Sequence, residues 1–388
     1  MTRPLDGVLV ISLEQAIAAP YCTRLLADQG ARVIKVERPD GGDFARGYDT
    51  RAKGLSSHFV WTNRAKESLT LDLKSPQAVQ TLKSIIAKAD IFVQNLAPGA
   101  VNRLGLDPAD LRSANQRLIT CSISGYGQGG PMENAKAYDL LIQAEAGFLS
   151  VTGTADHMSK AGISVADIAA GVTAYQSLLA SLLQRHNTGT GDHVEVSMLE
   201  AMAEWMGFPM NYAMDGANPP SRNGAGHATI YPYGPYDTAD GSLILGLQNT
   251  REWVVFAQKV LMRADLAADK RFTDNSGRLR HKGMLDAIIT NTFASLSTDE
   301  ALARLQNANI ATARINDMAA LWAHPQLAAR ERWAKFGSPN GPIKGLKPIC
   351  GDGWTPQLGP VPALGEHTDK ILTEFAPATD SNPKPGKA

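Results

Sequence analysis

One aspartate stands where its side chain could do chemistry. Asp167 lies in the stretch 162–171, between an apolar run and an Ala- and Gly-rich segment that opens a long apolar helix. The pattern alone favours a helix N-cap, because aspartate accepts hydrogen bonds from the free N–H groups of a first turn. That position also predicts a low pKa and an ionised carboxylate. Because an ionised carboxylate needs no base to attack, Asp167 is also a candidate nucleophile.

Other motifs for nucleotide binding or nucleophilic catalysis are missing from the sequence. The stretch 12–20 after the first predicted strand has no glycine, so a dinucleotide pyrophosphate could not approach its backbone. Glu37 stands where an acidic residue would bind an NAD ribose, but without that loop it is interpreted as a solvated charge at a strand end. No GxSxG elbow, Walker A loop or HExxH motif occurs, and most of the eight histidines are interpreted as surface or helix-end residues.

Composition narrows the functional classes further. The 388 residues carry 38 Lys and Arg against 38 Asp and Glu, so no global basic field exists to hold nucleic acid. Cys22, Cys121 and Cys350 lie far apart, which predicts no metal site and a reducing compartment. Without a signal-peptide core or an apolar run of about 18 residues, we expect a cytoplasmic protein that does not contact a membrane.

The elements that must position Asp167 alternate between strand and helix. Short apolar strands are predicted at 8–11, 33–36, 91–93 and 118–123, and helices at 21–29 and 75–89. This alternation is typical of βαβ units, so we expect an α/β fold with a parallel sheet covered by helices on both faces. A long helix is predicted over 167–186, with a further strand at 193–198.

The length and the change of texture along the chain predict two domains. Residues 1–200 form the first part of the large domain, and the Gly-, Pro- and Asn-containing stretch 201–228 is predicted to be a linker. Residues 229–315 are predicted to form a smaller α+β domain, in which Ser297 and Glu300 fit a capping box. The tail 376–388 is predicted to be disordered.

Four blocks, found in order along the chain, resemble the family III coenzyme A transferases, which include formyl-CoA transferase. The blocks are Gly30–Arg38, Leu71–Lys74, Gln94–Gly99 and Ser124–Gly127, and the similarity runs from Pro4 to Asp369. The resemblance implies a Rossmann-like large domain completed by residues 316–375, and an interlocked homodimer. It also implies that no cofactor is tightly bound and that coenzyme A is a substrate.

The resemblance assigns roles to individual residues. Asp167 matches the catalytic aspartate of the family. The positions that match CoA contacts are Ile17, Ala18, Arg38, Leu71, Asp72, Leu73, Lys74, Asn95, Leu96, Ala97, Arg103, Lys136, Ala137, Tyr138 and Asp139. The cations among them could pair with CoA phosphates, although any one alone could be an ordinary surface charge.

The similar α-methylacyl-CoA racemases are the alternative. They carry a histidine where this chain has Tyr138, and racemisation needs a base and an acid on opposite faces of the α-carbon. Tyrosine, with a usual pKa of about 10, is a poor substitute, which favours transfer. Asp139 could in principle take that role.

The resemblance also frames the mechanism and the substrate. Acyl-CoA and carboxylic acid substrates would react in a ping-pong manner through an aspartyl anhydride and an aspartyl-CoA thioester on Asp167. The loop 222–227, with Gly224 and Gly226, is a candidate for binding the oxyanion, or a plain turn. The stretch 248–253 resembles members that act on C4–C5 dicarboxylates such as mesaconate, itaconate, citramalate or succinate. The candidate cations for a second carboxylate, each of which could be an ordinary surface residue, are Arg46, Arg222, His227 and Arg251.

Overall fold

Six parallel strands form the central sheet of the first of two compact units. The computed structural model describes residues 2–376. Hydrophobic, β-branched runs form the strands β1 (Leu9–Leu13), β2 (Arg32–Glu37), β3 (Lys66–Thr70), β4 (Ile91–Gln94), β5 (Ile119–Ser124) and β6 (His193–Ser197). Their order, β3-β2-β1-β4-β5-β6, confirms the predicted Rossmann-like α/β class. The order reverses between β1 and β4, which is where open parallel sheets bind ligands.

Helices connect and cover these strands. They are α1 (Ala18–Asp28), α2 (Ser57–Asn63), α3 (Pro76–Ile86), α4 (Ala100–Arg103), α5 (Pro108–Ala114), α6 (Asp139–Glu145), α8 (Val165–Thr188) and α9 (Met198–Trp205). The short helix α7 (Phe148–Val151), between α6 and α8 in sequence, belongs to the second unit. One core cluster joins the sheet to α3, where Leu82, Ile85 and Ile86 are buried against Ile11 and Phe92. The apolar residues of α3 recur at helical spacing, so packing on the sheet selects the helix there.

The long helix α8 is the element that carries Asp167. It packs against α1, α9 and β6. By length and apolar composition alone α8 could cross a membrane, a test that core helices also pass, and 39% of its most apolar window is buried. The expected absence of a membrane stays a prediction.

The second unit comprises residues 147–161 and 207–328 and has its own core. Its antiparallel sheet has the order β7 (Tyr233–Asp237), β8 (Ser242–Gly246) and β9 (Ala311–Arg314). Its remaining helices are α10 (Gly207–Tyr212), α11 (Thr250–Val255), α12 (Ala264–Ala268), α13 (Asn275–Arg280), α14 (Lys282–Ala294), α15 (Thr298–Asn307), α16 (Met318–Trp322) and α17 (Pro325–Ala329). The predicted capping box of Ser297 and Glu300 is present at the start of α15.

Within the described residues, the first unit comprises 2–146, 162–206 and 329–376. Its last described elements are the antiparallel pair β10 (Trp333–Phe336) and β11 (Ile343–Leu346), and α18 (Thr368–Phe375). The helix α18 contributes Ile371 and Phe375 to the core beneath the parallel sheet.

The unit boundaries differ from the predicted domain boundaries. The predicted linker 201–228 contains the end of α9 and all of α10, because its first half is rich in Met and aromatic residues. Its longest stretch without helix or strand is 217–228. The stretch 147–161 groups with the second unit, which extends to 328 instead of 315. Of the predicted disordered tail, all but residue 376 lies outside the described residues.

Candidate active site

The candidate nucleophile is the third residue of α8. The helix begins at Val165, and the N-cap position belongs to Ser164, whose side chain makes no capping bond. The expectation that Asp167 itself caps the helix is therefore wrong. Residues in the first turn have free N–H groups that need acceptors, and a side chain from another helix supplies one.

That acceptor is Asp139, the first residue of α6. Its Oδ1 accepts from the backbone N–H of Ala166 at 2.8 Å and lies 3.4 Å from the N–H of Asp167. Its Oδ2 accepts from the side-chain amide of buried Gln143 at 2.6 Å. Asp139 thus fixes the turn that carries the nucleophile and places a second carboxylate beside it.

A backbone donor faces the Asp167 carboxylate. The N–H of Ala18, at the start of α1, donates a hydrogen bond to it. The two helices approach closely here: a Cβ on Gly171, one turn along α8, would lie 2.7 Å from the carbonyl oxygen of Ala18. Glycine at 171 therefore lets the N-terminus of α1 reach the nucleophile.

The loop between β1 and α1 is held in place by side chains. The amide of Asn95 accepts from the N–H of Gln15 at 2.8 Å and donates to the carbonyl of Gln15 at 2.9 Å. The Oδ1 of Asp43 accepts from the N–H of Ala16 at 3.1 Å, and Ala16 has a left-handed φ of 61°. These bonds offset the strain at Ala16 and fix the chain that presents Ala18.

A buried network of paired charges supports this loop. Lys35 Nζ lies 2.7 Å from Asp43 Oδ2 and 3.4 Å from Glu14 Oε1, and Lys66 Nζ lies 2.7 Å from the same Glu14 oxygen. Glu37 pairs with Arg46. Apart from Arg46, these side chains are almost fully buried. Sequence reasoning missed Glu14, Lys35, Asp43 and Lys66; the available signal was two lysines inside otherwise buried strands.

The electrostatics at Asp167 differ from the prediction. Burial and the negative charge of Asp139 raise the pKa of Asp167 to about 7, against the hydrogen bond from Ala18, which lowers it. The expected low pKa is wrong because the carboxylate is shielded from water and faces a like charge, with no compensating cation in the described part of the chain. Tyr48 also lies nearby: burial, Asp43 and Asp167 raise the pKa of its phenol to about 12.

All the predicted CoA contacts belong to the first unit and follow the carboxyl ends of its strands. In order, β1 is followed by Ile17 and Ala18, β2 by Arg38, β3 by Leu71, Asp72, Leu73 and Lys74, β4 by Asn95, Leu96, Ala97 and Arg103, and β5 by Lys136, Ala137, Tyr138 and Asp139. The exposed ones include the cations Arg38, Lys74, Arg103 and Lys136. Such a row of cations along one sheet edge suits an anionic ligand.

A cavity of about 260 Å³ opens at the ends of β4, β5 and β6. Leu96 and Ala97 belong to its lining, together with Glu133 and Glu195. Its wall also includes Ser122, which is buried and whose hydroxyl has no hydrogen-bond partner among the described residues. Within the described residues, Asp167 does not line this cavity.

The candidate substrate cations are found in different settings. Arg46 donates to both oxygens of Glu37 at 2.8 Å and to the carbonyl of Pro362, and its guanidinium lies 3.8 Å from the Phe59 ring centroid. Arg46 is therefore committed to the fold of the first unit. Arg251 is exposed on α11 in the second unit.

The loop 222–227 uses its donors inside the second unit. The N–H groups of Gly224, Gly226 and His227 donate to Gly153, Asn223 and Tyr233, so oxyanion binding would require these bonds to break. Arg222 donates to the carbonyls of residues 154 and 155 at 2.8 and 2.9 Å. The His227 ring stacks on Tyr233, and its Nδ1 accepts from two backbone N–H groups, which leaves the proton on Nε2.

No metal site is evident in the described part of the chain, 2–376. Within it, no group of three or more His, Cys, Asp or Glu side chains is arranged to hold a metal ion. Cys22 and Cys121 are buried, and burial raises the pKa of both thiols.

Known proteins resemble this chain over nearly its whole length. The model of CoA-transferase family III matches residues 5–368. The succinate–glutarate CoA-transferase of Agrobacterium fabrum is 33% identical, over 96% of both chains. The succinyl-CoA:glutarate CoA-transferase of Mus musculus is 32% identical, over 96% of this chain and 86% of that one. The succinyl-CoA:mesaconate CoA-transferase of Haloarcula hispanica is 30% identical, over 97% and 98%.

A solved structure shares the fold. The crystal structure of a CAIB/BAIF family protein from Brucella suis superposes with a TM-score of 0.85 and 31% identity, covering 97% of this chain and all of that one.

Proposed function

Since this chain belongs to CoA-transferase family III and is a CoA transferase, we propose that it transfers CoA to a short dicarboxylic acid through covalent intermediates on Asp167. The observation that carries the proposal is a carboxylate on the first turn of α8 that faces the N–H of Ala18 at the start of α1. The predicted CoA contacts follow the strands at the same edge of the sheet.

The reaction begins with the ionised Asp167. Its carboxylate oxygen attacks the thioester carbon of the acyl-CoA, and the bond from that carbon to sulfur breaks. CoA leaves as a thiolate, and a mixed anhydride between the donor acid and Asp167 remains. The thiolate then attacks the aspartyl carbonyl and releases the donor acid as a carboxylate. An aspartyl-CoA thioester remains, and the acceptor carboxylate reverses the two steps.

Attack on the aspartyl carbonyl creates an oxyanion on an oxygen of Asp167 itself. The N–H of Ala18 already donates to that carboxyl group, and it stands at the positive end of the α1 dipole. We therefore assign Ala18 as an oxyanion donor, a role for which the loop 222–227 was the sequence candidate. Because α1 is fixed by packing, this donor needs no reorganisation during the reaction.

The names of the relatives support a dicarboxylate acceptor: succinate, glutarate and mesaconate each carry a second carboxylate. That group needs a cation, and Arg46 is already paired. We propose Arg222, His227 or Arg251 for this contact, and succinate, glutarate, mesaconate, itaconate or citramalate as the acid.

The racemase alternative is weakened by Asp139. Its carboxylate accepts three hydrogen bonds from donors of the fold, so it is held as an acceptor at the first turn of α8, which disfavours a role as proton donor to an α-carbon. Tyr138, where the racemases carry histidine, is 68% exposed. Exchange of an α-proton into deuterated solvent without an acceptor acid would restore the alternative.

Mass spectrometry tests the covalent step. Protein mixed with succinyl-CoA should carry a hydroxylamine-sensitive CoA adduct on the peptide that contains Asp167. The variants Asp167→Ala and Asp167→Asn should carry none and lose transfer. The matched control Asp110→Asn, an exposed aspartate on α5, should keep both. Active wild-type enzyme with a clean spectrum would contradict the mechanism.

A panel of acids tests the substrate class. Succinate, glutarate and mesaconate should exceed butyrate in kcat/KM by about tenfold or more, because a hydrogen bond to a charged group contributes about 1.5–3 kcal/mol. Equal rates with butyrate would contradict a dicarboxylate site while leaving the transfer mechanism intact.

A homodimer in the cytoplasm remains part of the proposal. The segment around α10 exposes Phe208, Met210, Tyr212 and Met214, more apolar surface than single exposed residues provide. Light scattering should give twice the chain mass of 41.5 kDa, and a mass of one chain would contradict the dimer.

A further inference from the structure

Asp139 places a negative charge beside a nucleophile that is itself negative. We propose that Asp139 is a positioning residue whose charge, held against Asp167, drives the enzyme toward its covalent intermediate. The inference rests on the proposed function, because it concerns the balance between free Asp167 and its aspartyl-CoA thioester.

The geometry holds the Asp139 carboxylate in one orientation. Its two oxygens accept from the N–H groups of Ala166 and Asp167 and from the amide of buried Gln143. These partners are all donors, so they suit an ionised carboxylate and restrain it from turning away from the repulsion. The first turn of α8 cannot move off Asp139 without losing its acceptor.

The surroundings offer Asp167 little compensation. The titratable groups near Asp167, on the elements that pack against the start of α8, are Asp139 on α6 and the phenols of Tyr48, Tyr138 and Tyr21. Tyr21 lies on α1 and packs beside Gly171. Among the described residues, only Asp139 acts on Asp167 as a charge, and it raises the pKa of Asp167 in addition to burial. Within residues 2–376, the hydrogen bond from the N–H of Ala18 is the one contribution that lowers this pKa.

The charge balance of the reaction shows which state the repulsion between Asp139 and Asp167 disfavours. An aspartyl carboxylate and an acyl-CoA become an aspartyl-CoA thioester and a free carboxylate. One thioester bond is exchanged for another, no oxidant or reductant is needed, and the negative charge leaves with the released acid. The aspartyl group is neutral in the thioester, so the Asp139 charge raises the free energy of the starting state only.

The effect must depend on pH. Below the pKa of Asp167 its free form is a neutral acid, and the charge at Asp139 makes no difference to the balance. Above pH 7 the free form is an anion, and every pKa unit that Asp139 contributes favours the adduct by about tenfold.

The test compares Asp139→Asn with wild type by the fraction of enzyme carrying the CoA adduct at fixed ratios of succinyl-CoA to succinate. The Asn side chain keeps an oxygen for Ala166 and Asp167 but has no charge. At pH 8 we expect the ratio of adduct to free enzyme to fall about fivefold to tenfold, and at pH 5 to be unchanged. The pH midpoint of adduct formation should also move down.

Two further variants separate charge from structure. Glu145→Gln removes an exposed charge at the other end of α6 and should match wild type. Asp139→Ala removes both the charge and the acceptor, so it should lower the adduct as Asp139→Asn does and also lower the melting temperature.

The outcomes distinguish the inference from the proposed function. A wild-type enzyme without adduct means that the covalent mechanism itself is wrong. An adduct in wild type that is unchanged in Asp139→Asn at pH 8 overturns the charge inference alone. If the adduct is lost in Asp139→Ala but not in Asp139→Asn, Asp139 acts only as a hydrogen-bond acceptor for the first turn of α8. That result would also overturn the charge inference.

Discussion

Two groups of carboxylates, one fully buried and one partly buried, lie near the carboxyl edge of the same sheet and behave in opposite ways. Burial opposes the ionisation of Glu37, but hydrogen bonds from Arg46 and the charge of Lys35 outweigh it and hold its pKa at about 2. Burial also opposes the ionisation of Asp167, and there a second carboxylate adds to it, so its pKa rises to about 7. The residue type and the desolvation are similar; the neighbours decide the sign.

The carboxylates that are paired with cations stabilise the fold, whereas the carboxylate without a cation is the proposed nucleophile. The carboxylates of Glu14, Glu37 and Asp43 are paired with Lys35, Lys66 and Arg46, and these ion pairs hold the loop that presents Ala18. Asp167 has no such cation among the described residues, and a carboxylate without a cation is more basic and a stronger nucleophile. A fold that stabilised Asp167 equally well would make it a weaker nucleophile.

Removing one cation from the buried ion-pair network should give the largest change in the free energy of unfolding. Lys35→Met leaves Asp43 without its 2.7 Å partner and removes one of two cations from Glu14. Removing one member of a buried ion pair typically costs about 3–5 kcal/mol. We expect a loss of this size in the free energy of unfolding, measured by denaturant titration at pH 7.

The control for Lys35 removes both charges. Lys35→Met combined with Asp43→Asn should be more stable than Lys35→Met alone, because no anion remains without its cation. The exposed Lys259→Met should change the free energy by less than about 0.5 kcal/mol. A loss below about 1 kcal/mol for Lys35→Met would mean that the network is not what holds the loop.

Glu37→Gln should give the next largest effect, with a defined pH dependence. The folded pKa of Glu37 is below its usual value of 4.5, so its ionised form stabilises the fold above pH 4.5, and this stability is lost as the pH falls through about 2. The variant should therefore lose about 2–3 kcal/mol at pH 7, and the difference should shrink toward pH 2. A difference that is independent of pH would assign the loss to packing.

Sequence patterns predicted most of the scaffold because most of its elements carry a local signal. Strand β3 was missed, since its sequence Lys-Glu-Ser-Leu-Thr is not an apolar run. Apolar runs of strand length separated by helices predicted the parallel sheet, and the helix over 167–186 is observed as Val165–Thr188. Ser297 and Glu300, three residues apart, predicted their capping box. The linker was less accurate, since Met and aromatic residues in 201–214 fit either a helix or an exposed connection.

The electrostatics of the site could not be predicted in the same way. Lys66 meets Glu14 across 52 positions of sequence, and Asp139 meets the Asp167 turn across 28. Glu37 was interpreted as a solvated charge, which is wrong: it is 2% exposed and paired with Arg46. The identity of the nucleophile could be proposed from a resemblance, but the sign of its pKa shift depends on neighbours that only the fold brings together.

Replacing Asp167, the carboxylate without a cation, should give the smallest change in the free energy of unfolding, and this change should be a gain instead of a loss. The folded pKa of Asp167 is above its unfolded value, so its ionisation costs stability as the pH rises from about 4 to 7. Asp167→Asn keeps the shape and removes that cost. After allowance for screening of a half-buried group, we expect a gain of about 1–2 kcal/mol at pH 8 that disappears by pH 4, measured by denaturant titration at both pH values. If Asp167→Asn is instead less stable than wild type at pH 8, the carboxylate is matched by a partner after all, and the contrast with Glu37 fails.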